Sequence, residues 1–419
     1  MVVRILITLS FLILVFGILE TLTFRALSKS YAHHEWWGSA KTVWWSVHVV
    51  VWLAFLAAFF MWPTWRGTHP VLLRTIMSVT FALTLPKLFV SGVQLVDELR
   101  AGSMWLWSKW GAGGQGGAFV DRGSFLNQLA QALGLFSFAG MSYGIWGKYA
   151  YRVREHVVRH PNFPEAFNGL RVVQLSDAHL GSFDGTPEPV LDALRKVQTL
   201  EPDLILFTGD LVNELAEEAE PWVEAFAALS APLGKYSVMG NHDYADYGPF
   251  DEAQRQASIA QLKDIQKRMG FEMLDNAHVR WTKDDSSLVL LGVENWGKGF
   301  RQSGDLQQAL EGSDASSHFS MLMSHDPTHF ELEVMGDKAP VELTMSGHTH
   351  GMQMGIEIPW LKLKWSPSSI TYKRWGGLYQ EGQQFLHVNR GFGVLGFPGR
   401  VGMPPEITLL TLERGPLNA

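Results

Sequence analysis

The chain contains no cysteine in its 419 residues. Disulfides, thiol nucleophiles and thiolate metal ligands are excluded, so any metal must be held by His, Asp, Asn or Glu. Clustered basic charge is missing as well. Lys and Arg total 34 against 41 Asp and Glu, for a net charge of -7 and a pI near 6.1. A nucleic-acid partner bound through a basic surface is thereby excluded, because phosphate binding of that kind needs grouped cations. The mean hydropathy of +0.02 is an average over two unlike halves. Long apolar runs rich in Trp, Phe and Leu fill the chain to about residue 150, and a balanced, soluble-type sequence follows. Length alone predicts two domains.

Four segments of the first half are long and apolar enough to cross a bilayer, which takes about 20 residues: 5–24, 42–62, 75–96 and 125–146. In the fourth, Asn127, Gln128 and Gln131 crowd the first turns, a pattern also expected of a helix buried against its neighbours. A signal-peptide reading of the first is opposed by Glu20 and by the spans that follow. Trp36, Trp37, Trp44, Trp45, Trp62 and Trp65 stand where spans meet the interface. Residues 97–123 are expected to form a loop, with Trp105, Trp107 and Trp110 ahead of a glycine-rich run at 111–117. Such a loop either lies on the membrane surface or simply connects. Glu20, His48 and Lys87 fall inside spans, where charge is costly. They are expected to pair with one another or snorkel, and head-group binding is the competing reading. An even number of spans puts both ends on one side. That side carries Arg4, Arg66, Arg74, Lys148, Arg152, Arg154 and Arg159, against Arg25, Lys29, Lys41, Arg100, Lys109 and Arg122 on the other. The group after the last span points to the cytoplasmic side.

The second half holds five polar motifs: Asp177-Ala178-His179, Gly209-Asp210, Gly240-Asn241-His242-Asp243, Ser324-His325 and Gly347-His348-Thr349-His350. Each follows a short apolar or β-branched run bounded by turn residues, at 170–175, 204–207, 236–239, 319–323 and 341–345. Helical patterns separate most of these runs, which predicts βαβ-type units in a mixed α/β domain. In such sheets, residues after strand ends gather along one edge, where open α/β proteins build their sites. Singly, each motif has an ordinary explanation. Asp177 and Asp210 read as helix caps, Asn241 as a turn residue and His325 as a core imidazole beside Pro327. Together, at successive strand ends, they have no structural reason to coincide. Carboxylate, imidazole and amide oxygen are the ligand types that suit a pair of divalent cations. His278, His318, His329 and His387 lie outside the motifs and read as core or surface imidazoles.

In this order the motifs resemble the calcineurin-like metallophosphoesterase superfamily over about residues 170–412. The hydrophobic first half and Gly-His-Thr-His-Gly are similar to its membrane-associated bacterial branch. The resemblance implies a metallophosphoesterase-type β-sandwich flanked by helices, preceded by an all-α bundle of four transmembrane helices. It implies two divalent metal ions (Mn, Fe or Zn), one held by Asp177, His179 and His350 and the other by Asn241, His325 and His348, with Asp210 bridging. Water activated by the pair would attack phosphorus in line. His242 would protonate the leaving oxygen or contact a phosphoryl oxygen, with Asp243 orienting it. Arg390, in a segment resembling a late family motif near substrate, is either a phosphate-steering cation or a salt-bridge partner. A closing strand is expected at 405–412. Among implied substrates are phosphodiesters and the pyrophosphate of UDP-diacylglucosamine, and a lipid-linked substrate would suit a domain tethered at a bilayer.

The expected organisation is a transmembrane domain at 1–147, a linker at 148–168 marked by its Arg-rich start and Pro161 and Pro164, and a catalytic domain at 169–419. The expected protein is a multi-pass enzyme of the bacterial inner membrane that faces the cytoplasm. It hydrolyses a phosphodiester or pyrophosphate in preference to a monoester, and its partners are membrane lipids and its phosphate-ester substrate. A catalytically silent membrane sensor or scaffold is the competing reading. Every motif position carries a competent atom, which opposes it. A transporter with an attached hydrolase is opposed by the lack of an inverted repeat.

Overall fold

A computed structural model describes residues 2–110, 120–183, 187–336 and 338–417. It divides into two compact units, Met1–Ile145 and Trp146–Ala419.

The first unit is all helix: α1 (Val2–Tyr31), α2 (Trp37–Thr68), α3 (Pro70–Trp110) and α4 (Val120–Trp146). Three stretches, Ser10–Tyr31, Trp37–Trp62 and Leu72–Trp107, are long and apolar enough to cross a membrane. Among the described residues α4 does not join them, because Asn127, Gln128 and Gln131 interrupt its apolar surface. Those amides bond across to α1, where Asn127 Nδ2 and Gln131 Nε2 donate to Ser30 Oγ at 3.1 and 2.8 Å. A buried amide in apolar surroundings persists only with such a partner. The ionisable groups also pair as expected. Lys87 donates to Glu20, and His48 Nε2 lies 3.8 Å from Glu20 Oε1.

Two connections differ from expectation. The 97–123 loop is helical as far as Trp110, so Trp105, Trp107 and Trp110 ride on α3. Glu98, Leu99, Arg100, Ala101, Met104, Leu106 and Lys109 in that stretch are good helix formers. The glycine-rich run at 111–117 lies outside the described residues. The connection between the spans expected at 42–62 and 75–96 shrinks to His69, with α2 ending at Thr68 and α3 starting at Pro70, where proline suits a first turn.

In the second unit a 3₁₀ turn at Gly147–Tyr149 leads into β1 (Arg152–His160), β2 (Leu170–Leu175), α5 (Glu188–Thr199), β3 (Leu204–Phe207) and α6 (Val223–Ala227). Next come β4 (Lys235–Ser237), α7 (Glu252–Arg268), β5 (Glu272–Met273), β6 (Ala277–Lys283), β7 (Ser286–Gly292) and α8 (Leu306–Leu310). The chain ends with β8 (Phe319–Met323), β9 (Leu343–Ser346), β10 (Ile356–Ile358), β11 (Leu363–Trp365), β12 (Gly377–Glu381), β13 (Gln384–Val388) and β14 (Glu406–Arg414).

Two six-stranded sheets form, ordered β1-β14-β2-β3-β4-β5 and β12-β13-β9-β8-β7-β6, beside a β10-β11 hairpin. Strands β2 to β5 are mutually parallel, as are β7, β8, β9 and β13. Alternate residues serve two cores. Val172, Leu204 and Leu206 meet Leu288, Leu290 and Met321 between the sheets. Val173, Ile205 and Phe207 pack outward against Ala193, Leu194 and Ile265 of the helices. On the other side Val289, Leu291 and Leu322 pack against Ala309 and Phe330. Burial on both faces is why these strands read as continuous apolar runs. Gln174 ties the sheets together, its Nε2 donating to Ser346 O at 2.9 Å and its Oε1 accepting from His387 Nδ1 at 2.7 Å.

The expected linker at 148–168 contains β1, paired in parallel with β14 from Arg152↔Glu406 to His160↔Arg414. Its cations disguise it in the sequence. Arg154 and Arg159 are matched by Glu357 and Glu413 at 2.7 and 2.8 Å, a composition typical of an edge strand.

Candidate dinuclear metal centre

The five motifs follow β2, β3, β4, β8 and β9, and the parallel order brings those strand ends to one edge. The ligand atoms of Asp177, His179 and His350 lie within 4.8 Å of one another, as do those of Asp210, His325 and His348. Asn241 joins the second group, its Oδ1 lying 2.8 Å from His348 Nδ1. All seven residues are therefore gathered. Backbone bonds lock the turns together, with Asp177 N–H donating to Gly209 O at 2.9 Å and His348 N–H to Asp177 Oδ1 at 2.9 Å. Asp177, His179, Asp210, His348 and His350 all adopt φ between +44 and +70°. Left-handed backbone at a non-glycine residue costs about 1–3 kcal/mol and collects where function demands it. At Gly347 a side chain would run into Ser176 and Asp177, so only glycine admits the approach of the two turns.

The orientation of the imidazoles shows what the cluster can hold. His325 Nδ1–H donates to Thr208 O at 2.7 Å, so Nε2 is the nitrogen that faces Asp210 Oδ2, 3.1 Å away. That nitrogen is buried without a hydrogen-bond partner. His179 Nδ1–H donates to Val212 O at 3.2 Å, which aims its Nε2 at Asp210 Oδ2 (3.7 Å) and His350 Nε2 (3.1 Å). Ring nitrogens and carboxylate oxygen thus face each other in a dry site, an arrangement that needs positive charge between them, either shared protons or metal ions in their place. Two carboxylates, an amide oxygen and four imidazoles match borderline divalent metals. The residues fit the group.

Protons respond to the same field. Burial opposes ionisation of Asp210, but His325 and His242 outweigh it and hold the carboxyl well below its usual range. Burial would lower His325, yet Asp210 pushes it up to about 10. His350 is held differently: Arg400 Nη2 lies 3.3 Å from its Nδ1, and that bond must open before the ring can carry its hydrogen on Nδ1 and offer Nε2 to a cation.

His242 stands beside the cluster, its N–H donating to Asp210 Oδ1 at 2.8 Å and its ring stacked on Tyr247 at 4.3 Å. Asp243 does not orient it. The Asp243 carboxylate accepts backbone N–H groups of Gly240, Asp210 and Leu211 at 2.9 Å each, knitting two motif turns together. The partner of His242 Nδ1 is instead Asn213 O at 2.7 Å. Arg390 does not face substrate. It is fully buried and spends its guanidinium on Glu406 and Glu357 at 2.6 and 2.5 Å.

Sequence reasoning missed Tyr372 and Asp326, whose Oη and Oδ2 lie 2.8 and 3.4 Å from His348 Nε2. A hydrogen on Nε2 directed to either frees Nδ1 as a ligand on the Asn241 side. Asp326 had a signal in its place directly after His325; Tyr372 had none.

Residues 3–148 match the family model for the "probable calcineurin-like phosphoesterase, transmembrane domain", and residues 170–352 that for calcineurin-like phosphoesterases. The chain is 30% identical over 304 residues to the uncharacterized metallophosphoesterase YkuE of Bacillus subtilis, covering 70% of this chain and 98% of that protein. It is 29% identical over 289 residues to the UDP-2,3-diacylglucosamine pyrophosphatase LpxG of Chlamydia muridarum, covering 58% and 83%. A transmembrane protein with metallophosphoesterase domain from Danio rerio is 27% identical over 259 residues, covering 60% of this chain but only 55% of that relative.

Proposed function

The chain belongs to the calcineurin-like phosphoesterase family and is a metal-dependent hydrolase with a membrane domain, and from that premise we propose that it cleaves a phosphodiester or pyrophosphate bond at a two-metal centre. In this reading Asp177, His179 and His350 would hold one divalent ion, Asn241, His325 and His348 would hold the other, and Asp210 would serve both. The observation that carries it is the convergence on Asp210 Oδ2 of His325 Nε2 at 3.1 Å and His179 Nε2 at 3.7 Å. When bound, Mn, Fe or Zn would supply an acidified water and neutralise charge on the phosphoryl oxygens. His242 keeps Nδ1–H on the Asn213 carbonyl, so Nε2 is the atom at which it holds a proton and releases it to the leaving oxygen. Asp243 fixes the turns that carry Asp210 and Asn241.

For substrate we favour a lipid-linked phosphoester. UDP-2,3-diacylglucosamine, named for the LpxG relative, joins a pyrophosphate to acyl chains that a bilayer retains, which suits a hydrolase built onto membrane helices. The cations that follow the last helix support a catalytic unit on the cytoplasmic side of a bacterial inner membrane. The test is turnover by the purified full chain with Mn²⁺ of UDP-2,3-diacylglucosamine, an aryl phosphodiester and an aryl phosphomonoester. The first two should be hydrolysed, and Asp210→Ala should abolish both activities. Preference for the monoester, or turnover by the variant, would contradict the proposal.

A further inference from the structure

A hairpin of the catalytic unit wears its apolar face outward. In the β10-β11 pair Ile356 opposes Trp365 and Ile358 opposes Leu363, which places these four side chains on one face. Glu357 and Lys364 share the other face, where Glu357 reaches inward to Arg390 and Arg154 at 2.5 and 2.7 Å. A soluble hairpin shows the reverse polarity. The tip carries Trp360 and Leu361, the former 81% exposed, and Ile370 beyond the hairpin is 83% exposed. Most of the large apolar side chains exposed among the described residues after 150 fall between Met352 and Ile370. A patch of this density on a folded surface marks a binding face.

We propose that this hairpin docks into the interfacial layer of the lipid bilayer. Three observations select that occupant. Tryptophan at a tip with aliphatic neighbours is the composition of segments that settle at head-group depth. Lys362 and Lys373 border the patch, whereas the one carboxylate within 352–373, Glu357, is already paired with arginine, so the rim is complementary to anionic lipid. The chain also carries its own membrane helices, and only residues 147–151 separate α4 from β1, a tether of about 17 Å when extended. The hairpin is braced against the catalytic turn, since Ser366 Oγ donates to Gly351 O at 2.5 Å and Tyr372 reaches His348 at 2.8 Å. Docking would therefore hold the strand-end edge at the height of lipid head groups. That consequence rests on the metal-centre reading; docking itself does not.

The absence of native cysteine permits a direct test in the full chain. Leu361→Cys and Ile370→Cys, with Ala257→Cys on the exposed side of α7 as reference, are labelled with an environment-sensitive fluorophore and reconstituted into vesicles of phosphatidylglycerol and phosphatidylethanolamine. Lipids carrying a bromine or nitroxide quencher should extinguish the labels at 361 and 370 several-fold more than the one at 257, and aqueous iodide should show the opposite order. Labels at 361 and 370 that iodide reaches as freely as 257 would overturn the proposal. Shielding from iodide without lipid quenching would also overturn it, by assigning the hairpin to a protein partner. Because the readout is independent of turnover, failure here is distinct from failure of the hydrolase reading.

Discussion

Two regions of the catalytic unit bury charge on the same scale, and they spend it differently. In the first, Arg390 and Arg154 meet Glu406 and Glu357 at 2.5 to 3.4 Å, two cations against two anions, and the charge closes on itself. In the second, Asp177 and Asp210 face four imidazoles, most of whose Nδ1 atoms are committed to carbonyls or neighbouring side chains, leaving the Nε2 atoms of His179, His325 and His350 aimed at carboxylate oxygen. Burial and distorted titration mark both regions. What separates a strut from a site is whether each carboxylate is already paired with a permanent cation.

This contrast can be broken by substitution. Asp210→Ala should have the largest effect, more than about 10⁴-fold in kcat/KM, since it removes more than the single electrostatic donor worth about 10²–10³-fold. Steady-state hydrolysis of an aryl phosphodiester with metal analysis of the same sample checks it, and metal content should fall together with rate. His242→Ala should cost about 10³-fold, within the range of a general acid, while metal content stays at the wild-type level. A parallel loss of metal would move His242 into the ligand set.

On the strut side, Arg390→Ala should leave metal content per folded molecule unchanged and cost about 3–5 kcal/mol in urea unfolding, because it strands a buried carboxylate. Burial alone would raise Glu406, but Arg390 outweighs it and holds the carboxyl at about 2. The folded value lies below the unfolded one of about 4.3, so this contribution is full above that pH and is lost as pH falls toward 2. In Arg390→Ala the acid limb of the stability profile should flatten between those values. The smallest effect is expected for Tyr372→Phe, about tenfold in metal affinity, the usual scale for a group that orients a ligand. Competition with a chelator measures it, and an unchanged affinity would assign Tyr372 to packing alone.

The same contrast explains what the sequence could reveal. Leu170, Val172, Leu204, Leu206, Phe319 and Met321 face the space between the sheets and Val173, Ile205, Phe207 and Leu322 face the flanking helices, so continuous apolar runs and the turn residues after each disclosed the strands and the edge where the motifs meet. That signal is local. It failed at β1, whose Arg154 and Arg159 find partners at Glu357 and Glu413, about 200 and 250 residues away, and a strand whose charges are matched only in three dimensions reads as a linker. The helical extension to Trp110 was missed because hydropathy sets span length, whereas propensity sets helix length. Arg390 was ambiguous for the same reason as β1, since its partners lie outside its own segment. Asp243 looked like an orienter of His242 through adjacency, yet its carboxylate turned to the backbone of its own and a neighbouring motif. Which residues gather at one edge was legible; which of two neighbours served the other was not.

Anomalous diffraction from crystals grown with Mn²⁺ tests the central claim most directly. Two peaks about 3.5–4 Å apart, one beside His179 and one beside His325 with the Asp210 carboxylate touching both, are the expected result. A single peak, or a pair that leaves Asp210 unliganded, would contradict it.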